Sequence, residues 1–104
     1  MPNYGEFNPA LTRAINLIAK TAPANVGWWR HALVAMDDDG FDREDVMLCL
    51  CRGKAYGPEI QKGELRANVI HRGLEIRVVV RGLDKARGEW SALACLTVVT
   101  VMKE

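Results

Sequence analysis

The stretch that most constrains this chain is residues 64–81, ELRANVIHRGLEIRVVVR, two alternating runs joined at His71-Arg72-Gly73. In the second run Leu74, Ile76, Val78 and Val80 fall on one face of an extended chain, and Glu75, Arg77, Val79 and Arg81 fall on the other. A period of two marks a half-buried strand, so the spacing predicts an antiparallel hairpin with one face covered by other elements. The opposite face carries arginines, and it is the first place to look for binding.

The cover has to come from elsewhere in the chain. Asn8-Pro9 predicts a helix start, with Asn at the N-cap and Pro at the first position where its missing N–H costs nothing. Leu11, Ala14, Ile15 and Ile18 then share one face, and the element ends near Pro23. A second helix is expected over 26–37, gathering Trp28, Trp29, Ala32, Leu33 and Met36 into a broad apolar face. His31 falls about 130° from the centre of that face. It is therefore either an exposed side chain or one bordering a cleft. A third helix over 42–52 starts at Asp42, with Asp45 three residues on in a capping-box arrangement that explains the local acids without a calcium loop. Val46, Met47, Cys49 and Leu50 supply its buried side, and Gly53 sits where a left-handed cap is expected.

Residues 54–63 read as a turn-rich connection with room for a short strand at 55–60, residues 82–92 as a polar loop, and residues 93–102, LACLTVVTVM, as a central apolar strand. The expected fold is one α+β domain over 1–104. Its N-terminal helices pack on one face of a C-terminal antiparallel sheet of three to four strands.

At 104 residues and 49% hydrophobic, the chain can bury one modest core without disulfides or a metal. Three cysteines, Cys49, Cys51 and Cys95, form neither a disulfide framework nor a four-ligand zinc pattern, and buried thiols are the expectation. No cofactor or metal is expected. No apolar run approaches the roughly 20 residues of a membrane span and the N-terminus lacks a signal-peptide pattern, so a cytoplasmic location without membrane contact is expected. The net charge of +1 conceals a split. Residues 31–51 hold six acids against Arg43 alone, whereas residues 52–90 hold nine Lys or Arg against five acids. A locally basic sheet face of this kind can bind phosphates through several arginines.

Four short segments carry a resemblance. They are His31-Ala-Leu-Val-Ala-Met36, Asp39-Gly-Phe-Asp-Arg-Glu-Asp-Val46, Arg52-Gly-Lys54 and Leu96-Thr-Val-Val-Thr-Val101. In this order and spacing, over about residues 28–102, the chain resembles the DUF4258 family. The resemblance implies the fold of small toxin-like ribonucleases related to RelE and barnase, whose open sheet face binds RNA and which an antitoxin protein holds in check. Metal-free RNA cleavage needs a general acid or base and cations that stabilise the crowded phosphorane. By position in the family motif, His31 would serve the first need and Thr100 would donate a hydrogen bond. By the strand-face argument, Arg66 and Arg77 would stabilise the charge, with Lys54, Arg81, Lys85 and Arg87 as further RNA contacts. The chain departs from the family at Ala35, where the pattern has Arg one helical turn from the His; His71 beside the hairpin turn is a candidate substitute. The departure supports an alternative, a non-catalytic RNA- or protein-binding member of the same fold. A third reading is an interaction domain anchored by Trp28, Trp29 or Trp90.

Overall fold

The computed structural model describes residues 5–61, 64–84 and 89–103. Among them the chain forms α1 (Pro9–Thr21), a short 3-10 turn (Pro23–Asn25), β1 (Val26–Trp28), α2 (Arg30–Asp39) and α3 (Arg43–Arg52). Four longer strands follow: β2 (Lys54–Gln61), β3 (Glu64–His71), β4 (Leu74–Asp84) and β5 (Glu89–Lys103). The strands make one sheet in the order β1-β5-β4-β3-β2. Residues of all three α-helices join β-strand residues in one core cluster, so the helices cover a single face.

The caps form as their sequences dictate. Asn8 Oδ1 accepts from the Leu11 N–H at 2.9 Å. The Thr12 hydroxyl donates to the Asn8 carbonyl and accepts from the Ala55 N–H at 2.8 Å, tying the start of α1 to β2. Asp42 and Asp45 exchange side-chain and backbone hydrogen bonds at 2.9 and 3.0 Å, a complete capping box on α3. At the β3–β4 turn, Arg72 and Gly73 have φ of 46° and 81°. Two successive positive φ values make the primed two-residue turn whose twist suits a hairpin.

The centre of the helix-covered face is apolar. Val69, Ile76, Val78, Leu96 and Val98 from the strands and Ile15, Ala32, Val46 and Leu50 from the helices are fully buried. β4 presents Leu74, Ile76, Val78 and Val80 to this core, as its alternation predicts.

Five expectations need correction. The sheet has five strands instead of three to four, and it is mixed, because residues 26–28 leave the helix to pair in parallel with β5 (Val26 with Leu96, Trp28 with Val98). The apolar residues there fit either period, and the aromatic and β-branched pair favours the strand. α2 begins at Arg30 and runs to Asp39, where Gly40 closes it with φ of 76°. Much of the expected loop at 82–92 is strand, with Leu83 opposite Trp90 and Asp84 opposite Glu89. The connection after α3 is a full edge strand, β2, whose outer side meets residues 6–8: the Gly57 N–H donates to Glu6 and the Asn8 N–H to Ala55. Finally, Gly53 has φ of −74° and is no left-handed cap. Its requirement is space, since a Cβ there would lie 2.5 Å from the Cys49 carbonyl oxygen and 2.6 Å from Val69.

Of the cysteines, Cys49 is buried and Cys51 and Cys95 are half-buried.

Candidate nucleic-acid interface

The pleat turns alternate residues of every strand to the face without helices, and the pairing register arranges them in rows. One row runs Tyr56, Asn68, Arg77, Thr100 across β2, β3, β4 and β5; the next runs Glu59, Arg66, Val79, Thr97. Flanking rows hold Glu64, Arg81 and Cys95 on one side and Lys54, Ile70, Glu75 and Met102 on the other. The four cations Lys54, Arg66, Arg77 and Arg81 thus share one face with Thr100.

Carboxylates from the same face meet the arginines. Glu64 accepts from Arg81 at 2.7 Å and from Arg66 at 3.3 Å. Glu59 accepts from Arg77 at 3.1 Å. The hydrogen bond from Arg81, and after it the one from Arg66, holds the Glu64 carboxyl below its usual range, against a smaller effect of burial that raises it. Such pairs at a wet surface contribute little net stability, so a phosphate group can replace a glutamate at modest cost.

Aromatic rings flank the cations on both sides. Trp29, just past the end of β1, keeps an extended backbone and its N–H donates to the Val98 carbonyl, so the two tryptophans point to opposite faces. Trp28 packs against the core beneath the Arg43 guanidinium, 5.4 Å from its ring. Trp29, 42% exposed, lies 5.8 Å from the Arg66 guanidinium carbon. At the opposite edge Phe7, 47% exposed, meets Tyr56 at 5.9 Å between centroids, with the Lys54 ammonium 5.7 Å from the Phe7 ring. Val79 lies between Arg66 and Thr97 and is 1% exposed, although it is outside the helix-side core.

Beneath the ion pairs is a cavity of about 20 Å3 lined by Tyr56, Glu59, Arg66, Asn68 and Arg77. Arg66 Nε and Asn68 Oδ1 are buried there without a hydrogen-bond partner. A donor and an acceptor bordering a space of this size suit a single bridging water.

The register brings Arg66, Arg77 and Thr100 together, with Lys54 and Arg81 alongside. His31 is exposed in the first turn of α2 and forms no hydrogen bond or ion pair with Arg66, Arg77 or Thr100. Lys85 and Arg87 lie outside the described residues. His71 pairs with Leu74 in the register position of the helix-covered face, on the opposite side of the sheet from Arg66, Arg77 and Thr100. Among the described residues no group of three His, Cys, Asp or Glu side chains could hold a metal ion, and no helix is long and apolar enough to cross a membrane.

Sequence reasoning named Trp29 as a packing residue or an interaction anchor, not as a neighbour of Arg66, and missed Tyr56 and Phe7. Trp29 is read as a packing residue as long as 26–37 is one helix, and only the break into β1 sends it to the other face. Tyr56 and Asn68 follow from β2–β3 pairing, which the turn-rich composition of 54–63 obscures. Compared with family models, curated proteins and solved structures, the chain matches none.

Proposed function

We propose that this chain binds single-stranded RNA on its open sheet face without cleaving it, as a cytoplasmic protein whose face a small antitoxin-like partner can cover. The observation that carries the reading is the alternation of rings and cations across the sheet: Trp29, then Arg66 and Arg77, then Tyr56 and Phe7. Single strands are held by this combination, because bases stack on aromatic planes while guanidinium groups meet the phosphates between them. The resemblance to the DUF4258 family supports the same face and the same polymer. A duplex, whose bases are already stacked, gains nothing from the rings.

A cleaving version adds His31 as general acid or base with Thr100 beside Arg77. The pairing of Arg77 with Thr100 supports it. The exposure of His31, which forms no hydrogen bond or ion pair with that row, and the Ala35 departure weigh against it.

The test is fluorescence anisotropy with an unstructured oligouridine in EDTA, followed by electrophoresis of the same RNA. Intact RNA bound with a log K against log salt slope of roughly −0.7 per phosphate contacted, weakened by Arg66→Ala and Arg77→Ala, is the expected result. Cleavage that disappears in His31→Ala would replace this reading with the ribonuclease. Absence of binding by the folded protein would overturn both.

A further inference from the structure

A second cavity lies on the helix-covered side, at the end of the sheet where β3 turns into β4. Its volume is about 290 Å3. Gly40 and Phe41 from the α2–α3 turn, Asp45, Leu48 and Cys49 from α3, and His71, Arg72 and Leu74 from the hairpin form its walls. This is the lower end of the size range for small-molecule sites, and an apolar lining with a few polar groups is their usual make-up.

Three observations bear on what it would hold. His71 Nε2 is buried with no hydrogen-bond partner, which is costly unless something else in the site can meet it. Arg72 is exposed and, unlike Arg66, Arg77 and Arg81, forms no ion pair among the described residues. Arg72 also occupies a left-handed backbone position, with φ of 46°, where Asn or Gly is the favoured residue. A bulky residue kept at a strained position at the mouth of a cavity points to a use for its side chain.

We infer that this cavity is a binding site for a small monocarboxylate with an apolar body. Phe41, Leu48 and Leu74 receive the body, the Arg72 guanidinium pairs with the carboxylate, and His71 Nε2 meets one of its oxygens. Asp45 decides between anions. Its Oδ2 already accepts from the Asp42 N–H, so the carboxylate stays at the rim and repels a dianion more than a monoanion. The site is separate from the open face and stands whether or not that face binds RNA.

The experiment is a 1H–15N correlation titration of the full chain with 3-phenylpropanoate, with 3-phenylpropanamide and inorganic phosphate as comparison probes. Expected shifts are confined to residues 40–41, 45–49 and 71–74, with the amide binding about ten-fold more weakly and phosphate leaving these residues unmoved. The same titration on Arg72→Asn, with its melting temperature, separates ligand binding from folding. Asn suits the turn, so the variant is expected to melt at a higher temperature and to bind the carboxylate about ten-fold more weakly. Equal binding of carboxylate and amide, unchanged affinity in Arg72→Asn, or no shifts in these residues at millimolar probe would each overturn the proposal.

Discussion

Ile76 and Arg77 are neighbours on β4, and they face opposite sides of the sheet. Ile76 is fully buried among the helices, whereas Arg77 faces solvent across the sheet and shares a proton-bearing bridge with Glu59. One face of the sheet is a continuous apolar contact that holds the fold. The other carries paired charges, rings and a small polar cavity that the fold does not need. Stability and function divide at the pleat, residue by residue along a single strand.

Substitutions on the two faces should differ in the size of their effects. Ile76→Ala should cost about 2–5 kcal/mol in urea unfolding, the range for emptying a buried aliphatic site. Gly53→Ala should cost about 1–3 kcal/mol, because its Cβ would meet the backbone carbonyl of Cys49 and the Val69 side chain. Trp29→Ala should weaken RNA binding by about 1–3 kcal/mol, the usual worth of one stacking ring, while the unfolding midpoint moves little. Arg77→Ala should change folding stability by less than about 1 kcal/mol, since its partner Glu59 is 63% exposed. If Arg77→Ala unfolds the protein as readily as Ile76→Ala, the division between faces is wrong.

Acid provides the smallest effect. The Glu64 carboxyl titrates below its ordinary value of 4.5 in the folded state because Arg81 and Arg66 favour its charged form. A group with a lowered folded pKa contributes its stability above the unfolded pKa and loses it as pH falls through the folded one. The bridge should therefore hold at neutral pH and open as the pH falls below about 4.5 and through the lowered folded pKa, with the change absent in Glu64→Gln. NMR titration of the Glu64 side-chain carboxyl carbon reads this directly.

The covered face was the legible part. Alternation along β4, the Asn8 cap and the Asp42–Asp45 box are local signals, each complete within a few residues, and local signals survive folding. Residues 26–29 were not legible for the opposite reason. Val26, Trp28 and Trp29 satisfy a helical apolar pattern and a strand pattern equally, and the choice is made by pairing with Leu96 and Val98 about 70 residues later. The candidate site divides in the same way. Arg66, Arg77 and Arg81 are visible from strand spacing alone, but Glu59 opposite Arg77 and the rings that flank the cations depend on the register of β2 and β1.

The most direct test of the open face is a 1H–15N correlation map of the protein during titration with single-stranded oligouridine. Binding as proposed moves the Trp29 indole, the Arg66 and Arg77 side-chain resonances and the backbone amides of Asn68, Thr97 and Thr100, and leaves α1 and α3 unmoved. Shifts concentrated on the helices, or none at saturating RNA, would contradict it.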